Sequence, residues 1–176
     1  RHGGVSGVLK HIPGHGRATL DSHLDLPRVP EDRSRLERHD FEAFRQLNRI
    51  EMGMTAHLVF EDIDPNHPAT QSAVMIDIIR KDIGFAGLLM TDDISMEALS
   101  GPLDLRGQKA LAAGCDIVLH CNGQMDQMQL LAESTEELAG PSQMRVAQVL
   151  AQRPDVQPVD IQQVKAEFDA LLGEFR

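Results

Sequence analysis

The sequence has no tryptophan and no tyrosine, and its aromatic fraction of 3% is phenylalanine alone. Nucleic-acid bases therefore find almost no ring to stack on. Basic residues are outnumbered, 17 Lys and Arg against 27 Asp and Glu, for a formal charge of -10. Neutralising a phosphate backbone takes a concentrated positive surface, which no run of this chain supplies. Neither nucleic acid nor an anionic membrane is an expected partner. No apolar stretch approaches the roughly 20 residues that span a bilayer. Residues 1–10, RHGGVSGVLK, do not read as a signal peptide, although a chain opening on Arg1 could have shed one. Cys115 and Cys121 are too few for a disulfide framework and are expected as reduced thiols in a cytosolic chain. What remains is 176 residues, 41% hydrophobic and 25% charged, the size and composition of one ordinary globular domain.

Apolar runs at residues 5–9, 54–60, 87–90 and 115–119 read as short strands. Between them lie amphipathic stripes. Phe41, Phe44, Leu47 and Ile50 recur at helical spacing behind a capping Asp40, and helices are expected over 70–82 and 103–113, closed by Gly84 and Gly114. Residues 17–39, with Pro27 and Pro30 and no helical period, are expected as a long excursion. Further helices fill 124–139, 142–152 and 161–172. The pattern is βαβαβαβα, an α/β chain whose strand spacings leave room for a crossover helix each time. Apolar strands without clean alternation suit a parallel sheet covered on both faces. Polar residues gather where the runs end, which is how the active face of such a fold looks.

Three clusters carry chemistry. KHIPGHG, residues 10–16, sets Lys10 and His11 on a loop after the first strand, where a cation beside an imidazole can bind sugar hydroxyls or carboxylates. In Asp21-Ser22-His23 the carboxylate can accept the second N–H of the imidazole, fixing its tautomer and raising its basicity for general acid/base work. Thr91-Asp92-Asp93 follows the apolar GLLM run, and two carboxylates at the mouth of a buried strand are costly unless used or held by donors. One of the two would be a nucleophile, the other a salt-bridge partner or cap. A second reading takes His11, His15, His23, His57, Asp92 and His120 as ligands of a divalent metal in a barrel hydrolase. No pair has the H-E-x-x-H helical spacing, and Lys10 would set a cation beside the metal. The carboxylate–histidine reading needs no ion and no cofactor.

On these motifs the chain resembles the bacterial β-N-acetylglucosaminidases of glycoside hydrolase family 3, enzymes of peptidoglycan recycling. KHIPGHG is similar to that family's lysine–histidine motif, with Asp21-Ser22-His23 at the matching distance behind it. GFAGLLMTDDISMEALSG, residues 84–101, resembles the nucleophile segment, and MTAHLVF the strand between. The resemblance implies a retaining glycosidase on a (β/α)8 TIM barrel, cleaving terminal non-reducing β-linked N-acetylglucosamine from a muropeptide-type sugar in the cytoplasm. It implies Asp92 as nucleophile, His23 as acid/base with Asp21 as dyad partner on a mobile loop, and Lys10 and His11 as substrate-binding residues. A histidine–aspartate dyad repels anions less than a second carboxylate would, so an N-acetylglucosaminide phosphorylase is the alternative within the family.

The resemblance covers only the second half of such a barrel. Residues 5–121 match strands five to eight, residues 124–172 its terminal helices, and the whole of 1–176 a partial catalytic domain. The Asp and Arg that the family's first half contributes to sugar binding have no counterpart, and barrels usually need about 250 residues. Half a barrel has two raw parallel edges, so either the missing N-terminal half or self-association is expected to cover them. A third reading is therefore an inactive half-barrel that serves as a structural fragment.

Overall fold

The computed structural model describes residues 4–156 and 158–174. The first three residues of the stretch read above for a signal peptide lie outside them. The elements follow in the order β1 (Val8–Ile12), β2 (Arg28–Val29), α1 (Arg33–Arg38), α2 (Asp40–Arg45), β3 (Met52–Thr55) and β4 (Val59–Phe60). A 3-10 turn (Ala69–Gln71) leads to α3 (Ala73–Lys81), β5 (Leu88–Asp93), α4 (Leu103–Ala113) and β6 (Ile117–Leu119). Three helices close the chain: α5 (Met125–Ser134), α6 (Gly140–Ala151) and α7 (Ile161–Glu174).

The main sheet has the order β1-β3-β5-β6 with every pair parallel, and β2 and β4 form a separate two-stranded parallel ribbon. Strands of the main sheet lie side by side in chain order. A doubly wound sheet would reverse direction at a switch point, whereas a barrel-type sheet advances one way throughout. The fold is thus the expected parallel α/β, consistent with a TIM-barrel-like domain.

Several boundaries differ from the sequence expectation, each for a physical reason. The first strand is 8–12 rather than 5–9: Val5 is 66% and Val8 40% exposed, and the buried side chains are Leu9 and Ile12. Pairing of Ile12 with Thr55 draws Lys10 and His11 into the strand instead of the loop after it. The 54–60 run is two strands, because Ala56 N–H bonds back to Ile12 O while Val59 N–H bonds to Pro27 O in the other sheet. Within the excursion at 17–39 lie β2 and α1, the latter capped by Asp32 accepting from Arg35 N–H. The helix begun at Asp40 stops at Arg45, since Leu47 stays exposed while Phe41 and the partly covered Phe44 meet the core.

The core lies between the sheet and its helices. Ile76 and Ile79 of α3, with Leu89, Phe85 and Ile12, form part of one buried cluster, and Phe41 meets Phe60 edge to face at 5.8 Å. Gly53 is where Ile12 and Phe85 converge: a Cβ there would sit 2.7 Å from both side chains. At the N-terminal end of β6, Asp116 is 1% exposed and ties layers together. Its carboxylate accepts from Arg80 of α3, from Arg145 and Ser142 of α6, and from Leu89 N–H. Among the described residues no helix is long and apolar enough to cross a membrane.

Candidate active site

The C-terminal ends of β1 and β5 meet above β3, the strand between them. His11 Nε2 lies 3.4 Å from Asp92 Oδ2, with the two side chains 29% and 18% exposed. That distance is electrostatic contact rather than a well-made hydrogen bond. Burial holds the His11 imidazole below its ordinary pKa, against the pull of Asp92, and Lys10, His15 and His23 add to the lowering. The ring is accordingly neutral at pH 7, able to donate from one nitrogen and accept at the other. Lys10 sits one residue earlier on β1, exposed.

The adjacent carboxylates, open to either role on sequence alone, differ in what holds them. Asp93 is occupied: Oδ1 accepts from Ser95 N–H at 3.1 Å and Cys121 N–H at 3.2 Å, and Oδ2 from the Ser95 hydroxyl at 2.8 Å. It caps the turn after β5 and ties it to the end of β6. Asp92 accepts one firm hydrogen bond, from Asp93 N–H to Oδ1 at 2.8 Å. Its Oδ2 is left facing His11. A carboxylate steadied through one oxygen, with the other held only by a loose contact to His11, is arranged for nucleophilic or electrostatic work.

Asp21 and His23 form a pair of their own. His23 Nδ1 donates to Asp21 Oδ1 at 2.8 Å, and His23 N–H to the same oxygen at 2.9 Å. These two bonds, the backbone one first, hold the Asp21 carboxyl below its usual range. His23 is 74% and Asp21 60% exposed. Ser22, between them, is buried, and its hydroxyl bonds His15 Nε2 at 3.1 Å, so the loop is pinned from within. Arg17 anchors the same loop to Asp40 and Glu31. The structure thus joins His11 with Asp92 and Asp21 with His23. Among the described residues no hydrogen bond or ion pair joins one couple to the other.

The six residues of the metal reading are not assembled as ligands. His57 is buried and uses both ring nitrogens, Nδ1 with Thr70 Oγ1 at 2.7 Å and Nε2 with the Asp93 carbonyl at 3.0 Å. His120 bonds Gln127 through Nε2, and no group of three His, Cys, Asp or Glu among the described residues is placed to hold a metal ion. Both cysteines are free thiols, and burial pushes Cys115 up to about 12. His57, a metal-ligand candidate in the sequence, is instead a buried hydrogen-bonding residue. The one signal was a histidine and a threonine inside the otherwise apolar MTAHLVF run.

Residues 1–152 match the profile of the glycosyl hydrolase family 3 N-terminal domain. The chain belongs to this family. Among its family 3 relatives, a beta-hexosaminidase of Alkalilimnicola ehrlichii is 46% identical over 127 residues, 69% of this chain and 36% of the relative. A beta-hexosaminidase of Neisseria meningitidis is 37% identical over 150 residues, 83% of this chain and 40% of the relative. A family 3 β-N-acetylglucosaminidase of a Paenibacillus species shares the fold with TM-score 0.78 at 27% identity, over 90% of this chain and 34% of that one. NagZ of Neisseria gonorrhoeae, solved with N-trifluoroacetyl-D-glucosamine, matches with TM-score 0.74 at 32% identity, over 88% of this chain and 44% of its own. This family 3 chain spans less than half the length of either curated relative.

Proposed function

We propose that this chain carries the reacting groups of a retaining β-N-acetylglucosaminidase, with Asp92 as nucleophile. The observation that carries the proposal is the asymmetry of the two carboxylates, Asp93 saturated as a cap and Asp92 with one oxygen facing His11. Asp92 attacks the anomeric carbon of a terminal β-linked N-acetylglucosamine and forms a glycosyl ester, while His23 protonates the departing oxygen. His23 then takes the proton of the incoming water as the ester is hydrolysed. Asp21 holds the His23 tautomer, and Lys10 and His11 bind sugar hydroxyls. Since the dyad stands exposed, its loop folds over the bound sugar before protonation. The relatives named beta-hexosaminidase and the NagZ bound to an N-acylated glucosamine support the sugar. Resemblance to peptidoglycan-recycling enzymes supports a muropeptide-type substrate and a cytoplasmic setting.

The proposal extends to architecture. One-way strand order and the unpaired outer edges of β1 and β6 among the described residues support strands five to eight of a closed barrel. Those edges are covered by the other half of the barrel, which supplies the remaining sugar contacts, and the chain alone is expected to be weakly active. Incubation with a slow fluorinated N-acetylglucosaminide, followed by peptide mass spectrometry, should find the adduct on Asp92 whenever the chain is joined to its complementary half. An adduct on another residue would remove Asp92 as nucleophile. The histidine–aspartate couple at 2.8 Å also favours one second reading, transfer to phosphate. Glycosyl phosphate exceeding free sugar in phosphate buffer would decide for it.

A further inference from the structure

Beneath the two carboxylates lies a buried polar chain that the proposed chemistry does not use. Thr55, His57 and Thr70 are all fully buried, and they come from the end of β3, the segment after it and the 3-10 turn. Thr55 Oγ1 and Thr70 Oγ1 are 2.8 Å apart, Thr70 Oγ1 and His57 Nδ1 2.7 Å, and His57 Nε2 and the Asp93 carbonyl oxygen 3.0 Å. The Thr70 hydroxyl also lies 3.1 Å from the Ala56 carbonyl.

Proton counting fixes the direction of this chain. A carbonyl only accepts, so Nε2 carries a proton and donates to Asp93. Burial holds the His57 pKa below its ordinary value, outweighing the opposing pull of the Asp93 carbonyl, Asp92 and Asp93, while His11 lowers it further. A neutral ring leaves Nδ1 bare, and Thr70 must then donate its single hydroxyl proton there rather than to Ala56. Thr70 in turn accepts from Thr55. All donors point one way, toward the Asp93 carbonyl.

The two peptide groups flanking Asp93 both bear on the site. The one before it donates its N–H to Asp92 Oδ1, and the one after it is gripped by His57. We infer that His57, oriented by Thr70 and Thr55, is a positioning residue that locks the Asp93 backbone and so aims the Asp92 carboxylate. This inference rests on Asp92 being the nucleophile for its consequence in turnover, but not for its geometry.

The test uses the chain itself and, for turnover, the chain joined to its complementary half. Long-range proton–nitrogen NMR of the labelled ring should show neutral His57 with the proton on Nε2 from neutral to mildly acid pH. A doubly protonated ring, or a proton on Nδ1 alone, would overturn the inference without any variant. Thr70→Val is nearly isosteric but cannot donate, and it should shift the Asp92, Asp93 and Ile94 amide resonances, with Thr70→Ser restoring them. Unmoved resonances in a folded Thr70→Val protein would sink it. In turnover, Thr70→Val should lower kcat up to about a hundredfold, the cost of slight misplacement of a reacting group. KM should stay within about twofold, with recovery in Thr70→Ser. An unchanged kcat would refute the positioning role. Absence of turnover in the parent would count against the glycosidase reading, while ring and amide signals still decide the inference.

Discussion

Asp92 and Asp116 are carboxylates near opposite ends of neighbouring strands, and the protein treats them in opposite ways. Asp116, at the N-terminal end of β6, accepts from two arginines, a serine and a backbone amide. Those donors hold its carboxyl below the usual range even though burial pushes the other way. Asp92, at the C-terminal end of β5, has one firm donor and a second oxygen in looser contact with His11. A saturated anion fastens helices to a sheet. An unsaturated one keeps reactivity at the expense of order. The same residue type thus divides the sheet into an end that holds and an end proposed to act.

The largest expected effect breaks the acting end. Asp92→Asn keeps shape and removes the proposed nucleophile, so kcat on an aryl N-acetylglucosaminide should fall at least about a thousandfold in the completed enzyme. The unfolding midpoint should move by less than about 4 °C, the shift that about 1 kcal/mol makes at this size. A large loss of stability with turnover retained would reverse the roles of the two carboxylates.

At the holding end, Asp116→Ala leaves Arg80 and Arg145 facing each other without their anion and should cost about 3–5 kcal/mol in urea unfolding. Activity per folded molecule should persist. Acid should imitate the substitution. The folded pKa of Asp116 is lowered, so its contribution is complete above the ordinary value of 3.8 and disappears as pH falls through the folded value. His57, also lowered but from 6.5, contributes fully above that value and loses its share as pH falls toward its own folded pKa. Stability measured against pH should therefore decline on the acid side in two stages, the lower one, to which Asp21, Asp32 and Asp64 also contribute, smaller in Asp116→Ala. A profile identical in parent and variant would contradict the account of Asp116.

The smallest effect concerns the loop. Ser22→Ala removes the bond to His15 and should cost about 1 kcal/mol. Faster proteolytic cleavage between residues 17 and 27 should accompany it, and equal cleavage rates would show that the pin is idle.

What could be read from sequence follows the range of the interactions involved. Helix 103–113 with Gly114 behind it was legible because spacing and a glycine stop are local, and Gly114 does take a left-handed φ of 113°. The run ending at Met90 was legible because its side chains are apolar throughout and the strand is buried. The Val5–Leu9 run misled because apolar character does not say which residues find a partner strand, and here pairing with β3 chose residues 8–12. Lys10, His11, Asp21, His23 and Asp92 were singled out by motif, and their division into two separate couples was not. Nothing in the spacing of Thr55, His57, Thr70 and Asp93 announces their meeting, since Asp93 follows His57 by 36 residues and only the folded sheet brings them together.

Laying the strands down in chain order has a consequence for how the molecule assembles. Successive strands of the main sheet begin at Val8, Met52, Leu88 and Ile117, so each after β1 pairs with the main-sheet strand made before it. Within these four strands no pairing waits for a later piece of chain. Ordering can therefore advance along the polypeptide from one edge, each closed loop adding its entropy cost in moderate increments rather than at once. Asp92, on the third strand of the sheet to be laid, would meet His11, and Asp93 the Thr70–His57 chain, before β6 is made, and Cys121 N–H would join Asp93 last.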